Sequence, residues 1–151
     1  MKQWPITGAM TAPLPGKWSV SLLVKIQNMK ALSSIGLLFL SNVFMTFAWY
    51  GHLKFFGKAS NHANTSLWII ILISWGIAFF EYCLQVPANR LGSSETGGPF
   101  SLVQLKVLQE VITLVVFVIF SKLMFDNFQL SINHLIGFVL LIAAVYFIFK
   151  G

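Results

Sequence analysis

Three ionisable side chains lie inside long apolar runs of this sequence, where a charge is costly. Glu81 lies in the run 68–86, and Lys106 and Glu110 lie in the run 102–120. As a helix, each run is about 28 Å long, which is close to the hydrocarbon thickness of a bilayer. Ionisable groups at such depth usually bind a solute or carry an ion or a proton.

The composition is that of a membrane protein. Hydrophobic residues make up 57% of the 151 residues and charged residues 9%, whereas soluble domains carry about 25% charged residues. Apolar runs of near-bilayer length occupy residues 32–50, 68–86, 102–120 and 132–149. They predict an all-α membrane protein with four transmembrane helices in an antiparallel bundle, formed by residues 31–151.

Residues 1–30 differ from the rest of the chain. They hold three of the five prolines and four of the ten Lys and Arg residues, and no apolar run long enough to span. We expect an N-terminal extension that is disordered or that precedes a true start at Met29. A short interfacial helix over residues 18–26 is the alternative.

The depths of the polar residues predict a common site. Counted along the helices, Glu81 lies about 8 Å from the connector 87–99, Lys106 about 6 Å, and Glu110 and Asn42 about 12 Å. Lys106 and Glu110 share a helix face at i, i+4, and Lys106 can also reach Glu81 if the second and third spans are neighbours. We therefore predict that these four residues bind a substrate or a proton. The competing interpretation is an ion pair that only holds two helices in register.

The sequence lacks the residue sets that catalytic and metal-binding sites require. The sequence offers no Ser/His/Asp set, no Cys/His pair at a shared depth and no group of metal ligands, so we expect no enzyme, no metal and no cofactor. The sequence has no basic patch interleaved with aromatic residues, which is the pattern that would indicate binding to nucleic acid. The expected partners are the lipid bilayer, a small solute and a second copy of the chain.

Three stretches carry a resemblance to a known family. NVFMTFAWYGHLKF, SWGIAFFEYCLQVPANR and QLKVLQEVITLVVFVIF resemble a bacterial family of small four-span proteins grouped with the drug/metabolite transporter (DMT) superfamily. The resemblance covers residues 32–149 and implies a four-helix inner-membrane protein that transports a solute, with no substrate to carry over.

The distantly similar small multidrug resistance proteins use a glutamate in their first span. The first span of this chain has no charge, so their proton exchange does not transfer to Glu81 or Glu110.

Two functions fit these observations. The first is a secondary transporter of a small, cationic solute, coupled to protons through the membrane glutamates. It would work as a homodimer, because four short helices alone enclose little. The alternative is a non-transporting membrane subunit or assembly protein whose intramembrane charges fix helix packing.

The distribution of basic residues predicts that both termini lie in the cytoplasm. Reporter fusions should therefore label Ser94 and the C-terminus as cytoplasmic and Gly57 as external. Opposite labelling of Ser94 and the C-terminus would exclude four spans. Without residues 1–28, four basic residues lie on the side of the termini and three on the opposite side. Insertion in both orientations therefore stays an alternative. The cations on the terminal side are Lys2, Lys17, Lys25, Lys30, Arg90, Lys106 and Lys150, and those on the other side are Lys54, Lys58 and Lys122.

Overall fold

The computed structural model describes residues 17–57, 64–125 and 128–150. Its α-helices are α1 (Lys17–Thr46), α2 (His52–Phe55), α3 (Leu67–Gly92), α4 (Leu102–Met124) and α5 (Ile132–Lys150). A π-helical turn, Phe47–Gly51, joins α1 to α2.

In the described parts of the chain, four helical segments are long and apolar enough to cross a membrane: Val20–Phe55, α3, α4 and α5. Helices satisfy their backbone hydrogen bonds internally, which apolar runs of this length require in a bilayer. The predicted all-α, four-span architecture is confirmed.

The first span occupies the centre of the bundle. α1 packs against α3 and also against α4, while α5 packs mainly against α4. The second and third spans are therefore not the close neighbours that the short connector suggested. They meet α1 near the connector end, where Leu38, Ala88 and Leu105 form a small buried cluster.

Small and polar residues form the buried face of α1. The Ser34 hydroxyl donates to the Ala88 carbonyl oxygen over 2.9 Å, which ties α1 to α3. Small side chains let membrane helices approach closely, and hydroxyls then bond across the contact. The buried residues of this face are Ser34, Leu38, Ser41, Asn42 and Thr46.

The second span ends later than the sequence predicted. We expected the helix to end at Pro87, but α3 continues through this proline to Gly92. Proline has no N–H to donate to the Cys83 carbonyl, yet membrane helices tolerate this loss where their neighbours hold them. Glu81 consequently lies about 17 Å from the end of α3, near its middle, and not 8 Å from it.

The connector folds back on the end of α3. The Phe100 N–H donates to the Gly92 carbonyl over 2.9 Å, and Gly97 takes a φ of 79°, which favours glycine. The Lys30 ammonium donates to the Gly97 carbonyl over 2.8 Å. Lys30 on α1 is therefore level with the connector.

The helical start of α1 differs from the expected disorder of residues 1–30. Residues 17–30 are helical and continue directly into the first span. About 20 Å of helix precedes Lys30 and projects beyond the connector. The expectation for residues 1–16 falls outside the described residues, and an interfacial position for residues 18–26 stays a prediction.

Side chains of α1 and α4 pack closely against Gly92 of α3. A methyl group there would lie 2.4 Å from the Ser34 oxygen and 2.8 Å from a Leu105 methyl carbon. Gly92→Ala should therefore destabilise the protein by about 1–3 kcal/mol through overpacking. Thermal unfolding in detergent micelles measures this effect.

Gly76→Ala is the matched control, because Gly76 lies in the same helix and no neighbouring atom of the described residues comes within 4 Å of the added carbon. Its stability should be unchanged or slightly raised, since alanine favours helices. Equal stability of the two variants would contradict the close packing at Gly92.

Candidate functional site

The predicted site residues fall into two groups and do not form one. Glu81 lies at the contact of α3 with α1, where the Ser41 hydroxyl of α1 is its hydrogen-bonding partner among the described residues. Lys106 and Glu110 lie together on α4. The two carboxylates therefore have different surroundings.

Glu81 is enclosed by the α1–α3 contact and is only 7% exposed. The Ser41 hydroxyl lies 2.7 Å from the Gln85 amide oxygen and 3.4 Å from a Glu81 carboxylate oxygen. A hydroxyl has one hydrogen, so the short bond to Gln85 leaves Glu81 a weak one at most. Within the described residues, no cation pairs with Glu81.

Lys106 pairs with Glu110. Its ammonium lies 2.6 Å from a Glu110 carboxylate oxygen, and the two side chains are 65% and 54% exposed. The i, i+4 spacing predicted this contact. The expected contact of Lys106 with Glu81 is wrong, because α1, and not α4, packs along α3.

Glu110 lines a cavity of about 380 Å³ between the first span, α4 and α5. Among its described lining residues, Glu110 is the only charged one. The π-helical turn supplies two aromatic residues to it, and the Tyr50 ring lies 4.9 Å from the Phe117 ring, centroid to centroid. The lining residues that matter for recognition are Thr46, Trp49, Tyr50, Glu110, Thr113 and Phe117. We call this space the glutamate cavity.

Asn42 is buried next to the glutamate cavity and contacts Thr113, one of its lining residues. It is 1% exposed, its amide donates to the Leu38 carbonyl over 2.8 Å, and its oxygen accepts from the Thr113 hydroxyl. That hydroxyl is also 2.8 Å from the Gln109 carbonyl, so it can donate to one acceptor at a time. Asn42 therefore positions Thr113 and does not itself face the cavity.

Several site residues were missed from the sequence. Gln85 follows Glu81 by four residues, and Thr113 follows Glu110 by three, so helical spacing could have identified both. The roles of Trp49 and Tyr50 depend on the π-helical turn, for which the sequence carries no recognisable signal.

The site chemistry is that of one carboxylate among aromatic faces. A carboxylate attracts a cation, and aromatic faces attract cations within about 6 Å of their centres. In the described parts of the chain, no three His, Cys, Asp or Glu side chains come close enough to hold a metal ion.

Comparison with known proteins gives one family. The model of DMT_6, described as "Putative member of DMT superfamily (DUF486)", matches residues 34–149, well over half of the chain. No curated protein matches the chain, and no solved structure does either.

Ser41 holds the polar contact between α1 and α3. Ser41→Ala removes the donor to Gln85 and should lower the free energy of unfolding by about 1 kcal/mol, as for other hydrogen bonds between membrane helices. Ser33→Ala is the matched control, because Ser33 is an exposed serine of the same helix. Thermal unfolding in micelles compares the two variants. An equal effect of both changes would show that the Ser41 contact does not contribute to stability.

Proposed function

The chain belongs to the DMT_6 family, and on this premise we propose that it is a small secondary transporter. It moves a small cationic solute across the membrane and exchanges it for protons at Glu110. The observation that carries this proposal is the position of Glu110 as the only charged residue among the described lining of the glutamate cavity.

The glutamate cavity suits a small organic cation. Its volume of about 380 Å³ falls at the lower end of the range of ligand pockets, roughly 300–1,000 Å³. Glu110 supplies the opposite charge, while Trp49, Tyr50 and Phe117 supply aromatic surface. Cation–π contacts contribute about 0.5–2 kcal/mol each, more where water is excluded.

Lys106 competes with any other cation for the Glu110 carboxylate. A solute or a proton at Glu110 competes with the Lys106 ammonium, which lies 2.6 Å from the carboxylate in this structure. Glu110 thus has three alternative partners: Lys106, a proton and the solute. Mutually exclusive occupation of one carboxylate is the basis of exchange, because each ligand must leave before the next one binds.

The exposure of the Lys106–Glu110 pair supports a homodimer. The pair lies about 6–12 Å into the span, with both side chains more than half exposed in the single chain. Intramembrane charges almost always face the interior of a bundle or a water-filled cavity. A second copy would supply such an interior, and we place the dimer in the bacterial inner membrane with cytoplasmic termini.

Glu81 has a packing role in this proposal. It is buried against α1 beside Ser41 and Gln85, and it borders no part of the glutamate cavity. This position is also what the alternative function, a non-transporting subunit, requires of a membrane carboxylate. Transport and stability measurements separate the two functions.

Glu110→Gln tests the coupling residue. The amide keeps the shape of the side chain but neither holds a cation electrostatically nor exchanges a proton. A hydrogen bond to a charged group is worth about 1.5–3 kcal/mol, so flux should fall about ten-fold or more. Purified protein in liposomes, loaded with a panel of organic cations under a pH gradient, gives the flux.

Glu95→Gln is the matched control, since Glu95 lies in the connector and is exposed, and its flux should equal that of the unmodified protein. Undiminished flux in Glu110→Gln would reject Glu110 as the coupling residue. If the unmodified protein moves none of the cations while Glu110→Gln lowers its stability, the subunit function is correct.

A further inference from the structure

A second cavity lies at the connector end of the bundle, between α3 and α4. Its volume is about 340 Å³. In contrast to the glutamate cavity, its described lining carries two cations and several neutral hydrogen-bonding groups. The polar lining residues are Asn89, Arg90, Ser93, Thr96, Lys106 and Gln109. We call this space the basic cavity.

Arg90 is the distinctive residue of the basic cavity. Within the described residues, its guanidinium group has no hydrogen-bonding or ionic partner, although its backbone carbonyl accepts from the Thr96 hydroxyl. Guanidinium presents paired N–H donors that match the oxygens of a phosphate group. Lys106 faces the same space from α4 and adds a second positive charge.

The charges around the basic cavity favour an anion. Lys30 of α1 lies nearby, where it donates to the Gly97 carbonyl of the connector. The acidic residues of this end are the exposed Glu95 and Glu110, which pairs with Lys106. Cations therefore outnumber carboxylates among the described residues of this end. Lys30 and Lys106 have partners, whereas Arg90, whose guanidinium has none among the described residues, lines the cavity itself.

The position of the basic cavity identifies the source of the anion. Arg90 lies in the last turn of α3, at the depth of the lipid headgroups if the apolar parts of the helices cross the bilayer. Lys106 lies in the second turn of α4, about 6 Å below that level. Basic pockets between membrane helices at this depth bind the headgroups of anionic lipids. A soluble phosphate compound would have to enter the same interfacial layer.

We propose that the basic cavity binds the phosphate group of an anionic phospholipid between Arg90 and Lys106. Asn89 and Gln109 add amide donors to the remaining phosphate oxygens. The basic cavity and the glutamate cavity have different linings, although Lys106 of the former pairs with Glu110 of the latter. The proposal does not require that the protein transports a solute.

Native mass spectrometry of the purified protein tests the proposal. Phosphatidylglycerol is titrated in detergent, with phosphatidylcholine as the zwitterionic comparison and glycerol phosphate as the soluble one. The unmodified protein should retain phosphatidylglycerol in preference to both. Arg90→Gln should weaken that binding about ten-fold, the effect of losing one charge-assisted phosphate contact.

Lys150→Gln is the matched control. It removes one positive charge from the same end of the bundle, but Lys150 lies over the Tyr146 ring on α5 and outside the basic cavity. Its affinity for phosphatidylglycerol should equal that of the unmodified protein. Equal loss in both variants would show general charge attraction, and no loss in Arg90→Gln would show that the site lies elsewhere. Either result overturns the proposal, as would equally tight binding of glycerol phosphate.

Discussion

The requirement that polar groups find partners away from water organises this bundle. α1 carries buried serine, asparagine and threonine side chains that lipid tails cannot satisfy. Ser34 and Ser41 bond to groups of α3, and Asn42 bonds to Thr113 of α4. One helix with polar contacts toward two neighbours must lie between them, so α1 becomes central although it comes first in the chain.

The central position of α1 explains why two membrane carboxylates have different surroundings. Glu81 on α3 faces the polar side of α1 and is enclosed there. Glu110 on α4 lies where the helical rod of the first span passes through its π-helical turn, and a cavity remains beside it. The same residue type, in two spans at comparable depth, thus serves helix packing in one place and faces open space in the other.

The sequence predicted features that depend on local spacing and missed those that depend on tertiary packing. The length of the apolar runs was sufficient to predict four helices, and the i, i+4 spacing was sufficient to predict the Lys106–Glu110 pair. Which helix lies in the middle depends on hydrogen-bond partners far apart in sequence, such as Asn42 and Thr113. Pro87 misled the prediction because proline usually ends helices in water, where a freed backbone has solvent to bond.

The π-helical turn at Phe47–Gly51 has a geometric consequence for the direction of the side chains. A π-helical turn accommodates one residue more than an α-helical turn. Since each residue of an α-helix advances the rotation by about 100°, the same residues wound as a continuous α-helix would turn the side chains that follow by roughly that angle. Tyr50, near the end of this turn, would then leave the side of the helix that contacts Phe117. The aromatic wall of the cavity therefore depends on how this turn is wound as much as on residue type.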